Sequence, residues 1–390
     1  MISRGISSSL QRELDSFSKE VMGGDFNIRE VTKGAFSQAR AKLKPEAFKE
    51  LNSITVSHFY DGAPYQVWHG HRLLAIDGSR LVLPKHKTVI EEFGEHSFGP
   101  NADSKRSLAI TSLLYDPVNL LTLDAQIGPY TSSESDLMYR HLEHVKAGDL
   151  LLMDRGYPSL GLFFLLTARK IDFCIRMKEN WWLTAKNFSE SGEKERIVEF
   201  ELPKKDRKLL KDYPWIQGQK IKCRLLSVDL ENGEKEILCT SLTDSSKYPH
   251  EDFKELYHFR WNIEEGYKLL KCRLEIENFS GKTAIAVKQD FYAKVYMMSM
   301  CASLAFPIEE QVKREHEQEK RKHPAKINRT GALASCRSII VSIFLKNNHQ
   351  KALNAFDLIV AKTTEIIRPG RSLPRNHRPK KNYAMNYKRL

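Results

Sequence analysis

Leu73-Leu74-Ala75-Ile76-Asp77-Gly78 decides the fold, and Leu150-Leu151-Leu152-Met153-Asp154 repeats its design. Each is a short apolar run that ends in a carboxylate. Strands that are apolar at every position are buried on both faces, as in an α/β sheet. Sheets of that class carry their active sites at the C-terminal ends of the strands. Asp77 and Asp154 are therefore candidate site residues. One such Asp alone is most often a turn or cap residue; two on neighbouring strands carry more weight.

Outward from these runs, the pattern over 71–178 is that of a core. Leu81-Val82-Leu83 is a second apolar run after Asp77-Gly78. Leu108 to Tyr115 and Leu120 to Ala125 are β-type runs separated by Asp116-Pro117-Val118-Asn119, which predicts a hairpin. Ser133 is placed to cap a helix running through Leu137, His141, Leu142 and Val145. Leu160 to Ala168 predicts another helix, and Phe173 to Met177 another strand. Residues 179–245 are rich in Lys and Glu, with three β-like runs at Ile197–Leu202, Ile221–Val228 and Lys235–Leu242, and form a β-rich insertion. From Tyr248 a single long helical pattern runs to about Leu274, completing the core over 246–300, and further helices fill 301–365.

Residues 1–70 are helical. Thr32 caps a helix with Phe36, Ala39 and Leu43 at helical spacing, and Pro45 starts another with Ala47, Phe48 and Leu51 inward. The exposed face then offers Lys33, Ser37, Gln38, Arg40 and Lys42. That is either a helix-turn-helix reading a DNA groove or a solvated helical hairpin. Residues 366–390 hold eight Lys or Arg and no acid, a flexible basic tail suited to phosphate contacts.

The chain carries 62 Lys plus Arg against 49 Asp plus Glu, a net charge of +13 that favours polyanionic partners, nucleic acid first. The six cysteines show no regular spacing and read as reduced thiols. No apolar signal segment follows Met1, and the longest apolar stretch, Val295 to Phe306, is far short of the roughly 20 residues that span a bilayer. The expected setting is cytoplasmic, with no membrane partner. No Gly-rich phosphate loop is present, so no nucleotide cofactor is expected.

The helix Tyr257-His258-Phe259-Arg260-Trp261-Asn262-Ile263-Glu264-Glu265-Gly266-Tyr267-Lys268-Leu269-Leu270-Lys271 supplies the third acid. At about 100° per residue, Tyr257, Arg260, Glu264 and Lys271 share one face within about 60°. A solvated face with an Arg260–Glu264 surface pair has the same pattern, but Tyr257 and Trp261 bracket the pair, which a surface helix rarely requires. Three carboxylates with flanking cations suit phosphodiester chemistry. Two Mg²⁺ ions roughly 3.5–4 Å apart activate the attacking oxygen and stabilise the leaving one, and Mg²⁺ takes hard oxygen ligands. Arg260 and Lys271 would then hold flanking phosphates.

The spacing Y-x2-R-x3-E-x6-K, followed by Ile276-Glu277-Asn278-Phe279-Ser280-Gly281-Lys282-Thr283, resembles bacterial DDE transposases of the insertion-sequence-4 family. Asp77-Gly78-Ser79 and Asp154-Arg155-Gly156-Tyr157 resemble the same family, in order from about residue 30 to 300. The resemblance implies a ribonuclease-H-like, retroviral-integrase-like catalytic core with a β-rich insertion between helical N- and C-terminal regions. It implies Asp77, Asp154 and Glu264 as catalytic metal ligands for two Mg²⁺, with Mn²⁺ as substitute. Tyr257, Arg260, Lys268, Lys271, Arg155 and Arg40 are the expected DNA contacts. It further implies a homodimer acting on the terminal inverted repeats of an insertion sequence and on target DNA, by end cleavage and joining of the 3′-hydroxyl. The alternatives are a stand-alone metal-dependent nuclease and a catalytically silent, transposase-derived DNA-binding protein. One departure stands out: hairpin-forming relatives carry a tryptophan before the Leu238-Cys239-Thr240-Ser241 strand, where this chain has Glu236, and Trp181, Trp182 and Trp215 are the candidate substitutes. His141 and His144, one helical turn apart, form a weaker metal-ligand pair with no third ligand in view.

Overall fold

The computed structural model describes residues 1–3, 5–6, 8–98, 104–179, 182–202, 211–229, 235–318, 323–346 and 348–367. Its first elements are helices α1 (Leu10–Met22), α2 (Lys33–Ala41) and α3 (Glu46–Gly62). Strand β1 (Leu73–Val82), helix α4 (Lys87–Phe93), a short ribbon of β2 (His96–Phe98) and β3 (Ser104–Arg106), and strands β4 (Leu108–Asp116) and β5 (Leu121–Pro129) follow. Next come α5 (Glu134–His141), β6 (Leu150–Met153), α6 (Leu160–Ala168), β7 (Asp172–Arg176), α7 (Leu183–Ser191), β8 (Glu195–Glu201), β9 (Lys220–Asp229) and β10 (Lys235–Thr240). The chain continues through α8 (Asp252–Phe259), α9 (Asn262–Lys268), α10 (Ala284–Gln318), β11 (Ala325–Ile327), α11 (Arg329–Leu345), α12 (His349–Lys362) and β12 (Thr364–Ile366).

Two compact units share these elements. One comprises residues 64–79 and 110–266, the other 1–63, 80–109 and 267–390. The linear segmentation expected from the sequence is thus regrouped: the N-terminal helices and the C-terminal helices belong to one unit.

The unit of residues 64–79 and 110–266 is organised by an eight-stranded sheet in the order β5-β4-β1-β6-β7-β10-β9-β8. Its first five strands, taken in chain order, read 3-2-1-4-5, a ribonuclease-H-like arrangement. β1 and β6 run parallel, with Leu73, Leu74, Ala75 and Ile76 facing Leu150, Leu151, Leu152 and Met153 across the ladder. All eight are fully buried, as continuous apolar runs require. Each such Leu or Ile contributes about 1.5–3 kcal/mol on burial. The β4–β5 hairpin is closed by the anticipated turn, in which the Asp116 carboxylate accepts from Val118 N and Asn119 N. The insertion is no separate domain, because β10 pairs antiparallel with β7 and carries β9 and β8 as a continuation of the same sheet.

Two sequence expectations are corrected here. Asp77-Gly78-Ser79-Arg80 does not end a strand; β1 runs through it to Val82. Nor is 248–274 one helix. Arg260 N bonds Tyr257 O and Trp261 N bonds His258 O, three-residue links that break α8 from α9. Leu269–Arg273 then winds as a π-turn.

The other unit is helical. α10 packs along α3, where the Phe59 and Phe306 rings meet edge to face at 5.1 Å. Pro307 sits inside α10 without ending it, and the boundary expected at residue 300 falls within this helix. Proline cannot donate to the carbonyl four residues back, but the buried faces on both sides of it hold the helix together. α10 is long and apolar enough to cross a membrane, yet 72% of its most apolar window is buried inside the protein, the mark of a core helix. Thr32 caps α2 as anticipated, accepting from Ala35 N. The phase of the two helices differs from expectation, with Ala39 exposed, Leu51 42% exposed and Arg40 buried. The basic tail lies almost wholly outside the described residues; Ile366, its first residue, pairs with Ala325.

Candidate active site

The register of β1 with β6 ends at Ile76 and Met153. Asp77 follows Ile76 within β1 and Asp154 follows Met153 just past the end of β6, so the two acids leave parallel neighbours spaced about 4.8 Å apart. Gly78 N donates to Asp77 Oδ1 at 2.8 Å. Burial pushes the Asp77 carboxyl up to about 6; Gly78 N–H and Arg260 pull it down, and Glu134 and Asp154 push it up. Ser112 Oγ donates to the Asp77 carbonyl at 3.3 Å. Behind it, His141 bridges Ser112 Oγ at 2.9 Å and Asp124 Oδ2 at 2.7 Å. His141 is thus a buried brace, and His144 lies 3.8 Å from the same Asp124. No metal pair is formed by these two histidines with a third ligand among the described residues.

The broken helix delivers the remaining site groups. Tyr257 Oη makes long contacts of 3.4 Å to Met153 O and 3.5 Å to Asp154 Oδ1, and burial raises its pKa. Arg260, only 4% exposed, lies over the Tyr257 and Trp261 rings at 5.5 and 5.0 Å. Its Nη2 is 3.8 Å from Glu264 Oε1. Desolvation lowers the Arg260 pKa, but Tyr257, Asp154, Asp77 and Glu264 together more than offset it and hold it above its ordinary value. One guanidinium therefore interacts with all three acids, and its Nε is buried without a hydrogen-bond partner.

This unit brings together Asp77, Asp154, Tyr257, Arg260 and Glu264, with Arg155 exposed one residue beyond Asp154. Lys268 and Lys271 belong to the helical unit, where Lys271 Nζ donates to Arg80 O at 2.9 Å and Lys268 is exposed. The single continuous face expected for Tyr257 to Lys271 is therefore interrupted twice. Arg40 is the clearest correction. It is 7% exposed, with Nε on Gln289, Nη1 on Ser280 and Nη2 on both Ala286 O and Asp290, and it is a core residue with no surface for DNA.

Glu236 is buried, paired with Arg176 at 2.9 Å, and burial raises its pKa. Of the tryptophans, Trp182 stacks on Phe163 and meets Phe200 edge on, so it is core; Trp215 is 61% exposed; Trp181 lies outside the described residues. The residue that sequence reasoning passed over is Glu134, whose charge acts on both Asp77 and Tyr157.

The donor set suits a hard divalent cation. Asp77, Asp154 and Glu264 offer oxygen ligands alone, and one guanidinium leaves their charge incompletely offset. Among the described residues, no three acidic, His or Cys groups converge at coordination distance, so these side chains would have to adjust to hold a cation. Burial first, and the Glu134 and Asp154 charges after it, raise Asp77, and a cation beside it would favour its ionised form.

The sequence signature of the family described as "Transposase DDE domain" matches residues 68–301, well over half of the chain. The transposase InsG for insertion sequence element IS4, from Escherichia coli strain K12, is 28% identical over 247 residues. That match covers 63% of this chain and 54% of the relative, so the chain spans about half the length of the curated protein it matches. Among solved structures, a piggyBac transposase synaptic complex with hairpin DNA aligns over 77% of this chain and 59% of that chain, at 10% identity and a TM-score of 0.41.

Proposed function

The chain belongs to the DDE transposase family, and from that premise we propose that it cleaves the ends of an insertion sequence and joins the freed 3′-hydroxyls to target DNA. The observation that carries this reading is the adjacency of Asp77 and Asp154 one residue past the β1–β6 ladder, with Arg260 linking both to Glu264. Asp77, Asp154 and Glu264 would hold Mg²⁺, or Mn²⁺ in its place. Two such ions, when bound, supply activation of the attacking oxygen and charge stabilisation at the leaving one.

The chain's own groups do the positioning. β1 and β6 fix the two Asp carboxylates on a fully buried ladder, which keeps their separation insensitive to surface motion. The unpartnered Nε of Arg260 is a donor held in reserve for a phosphate oxygen. Tyr257 walls the site beside Asp154. Arg155, exposed beside Asp154, is the remaining phosphate contact of this unit in this reading. The DNA partner is the terminal inverted repeat of the element together with target duplex, engaged by a homodimer.

The test is cleavage of linear DNA carrying the inverted repeats that flank the gene, in Mg²⁺ or Mn²⁺, by wild type and Glu264→Gln. Cuts at the repeat ends that vanish in the variant are expected. Cutting indifferent to the repeats would favour a stand-alone nuclease; end binding without cutting would favour a silent DNA-binding protein.

A further inference from the structure

The capping of α5 places an acid that the DDE signature does not include. Ser133 Oγ accepts from Asp136 N at 3.0 Å, and Asp136 Oδ2 accepts from Ser133 N, a reciprocal box that fixes the first turn of the helix. Glu134 is the first residue of that turn. Since Ser133 and Asp136 already satisfy the helix start, the Glu134 carboxylate is not needed there.

It lies instead over the two glycines that follow the site aspartates. A Cβ at Gly78 would meet Glu134 Cδ and Oε1 at 3.0 Å, and a Cβ at Gly156 would lie 4.0 Å from Oε2. Its two oxygens therefore reach the residue after Asp77 and the second residue after Asp154. A separate observation marks the same spot as a ligand site. Tyr157 is 3% exposed, its hydroxyl has no hydrogen-bond partner, and the charges that act on it are Glu134, Asp77, Asp154 and Arg260. A buried hydroxyl left without a partner beside three carboxylates is costly unless something completes the cluster.

We propose that Glu134 is a fourth carboxylate of the metal site, holding a divalent cation together with Asp77 and Asp154, with the Tyr157 hydroxyl as donor to the oxygen shell around it. The assignment rests on the reading of Asp77, Asp154 and Glu264 as metal ligands. Glu134 and Asp154 both act on Asp77, while Arg260 is the cation that acts on it, so negative charge is in excess there and favours a divalent cation. The absence of a side chain at 78 is what lets the fourth approach so closely.

The experiment is Mn²⁺ binding to the full-length protein without DNA, read by calorimetry and by the electron paramagnetic resonance of free Mn²⁺, for wild type, Glu134→Gln, Glu134→Asp, Gly78→Ala and Asp154→Asn. Glu134→Gln should weaken binding about tenfold or more while its metal-free melting temperature stays at or above that of wild type. Gly78→Ala leaves every charge in place but presses the Glu134 carboxylate aside by a few tenths of an ångström, and should weaken Mn²⁺ in the same direction by less than Glu134→Gln does. Unchanged affinity in Glu134→Gln beside loss in Asp154→Asn would overturn the role of Glu134 and leave the triad standing. Weakening in Glu134→Gln that is restored by Glu134→Asp at wild-type affinity despite the shortened side chain would reduce Glu134 to a remote charge, which also overturns the assignment. Wild-type affinity in Asp154→Asn would sink the metal-site reading itself.

Discussion

Arg40 and Arg260 are both buried arginines among acids, and they are built to opposite ends. Arg40 spends every nitrogen: two side-chain acceptors, one carbonyl and the Asp290 carboxylate close around it at 2.5–3.0 Å. Arg260 has no partner for Nε, its ion pair with Glu264 is stretched to 3.8 Å, and three acids share its charge. A finished network stabilises a fold; an unfinished one is available to a ligand. Burial alone does not separate the two cases, whereas hydrogen-bond completeness does.

The comparison breaks most readily at Arg40. Arg40→Ala should cost about 3–5 kcal/mol, because it strands a buried Asp290; urea denaturation followed by circular dichroism measures it, and a cost under about 1 kcal/mol would contradict the network described. At Arg260 the balance reverses. Arg260→Gln should lower end cleavage by about 10²–10³-fold while moving the urea midpoint little, and equal losses of stability in the two variants would erase the distinction.

The brace behind Asp77 is intermediate. Burial raises Asp124, but the hydrogen bond and charge of His141, with Gln126, outweigh it and leave the carboxyl below its usual range. A carboxyl depressed on folding contributes stability that is complete above its unfolded value of about 3.9 and is lost as pH falls through the lower folded value. Asp124→Asn should therefore cost about 1.5–3 kcal/mol at neutral pH, and the difference from wild type should shrink on acidification below about pH 4. A gap that stays constant to pH 2 would refute the role of the charge. The smallest effect is at Ser133. Ser133→Ala should cost about 1 kcal/mol of stability and, by loosening the turn that carries Glu134, weaken Mn²⁺ a few-fold in the same titration.

These contrasts also mark what the chain discloses as a string of residues. β1, β6 and β7 are legible because burial on both faces demands unbroken apolar runs, and Asp77 and Asp154 stand out at their ends. Arg40 was misplaced because a basic residue at helical spacing has the same pattern whether it faces water or a distant Asp290. The partner is 250 positions away. The break at Arg260 and the π-turn at Leu269–Arg273 are invisible to a uniform 100° rule, since nothing local, neither Pro nor a run of Gly, announces them. Glu134 is hidden differently: an acid just inside a helix start already has a local explanation in the helix dipole. The glycine beside Asp77 marks it only once the carboxylate packed 3.0 Å from where its Cβ would stand is seen.

The position of β10 between β7 and β9 has a consequence for how the chain must be made. β7 is complete by Arg176, but the strand that covers its open side ends at Thr240. During synthesis, then, an apolar strand with unpaired backbone groups waits until more than sixty further residues have emerged. Any nascent or truncated chain ending before residue 240 presents that edge to its neighbours, a template for aggregation that the finished protein has concealed in the middle of its sheet.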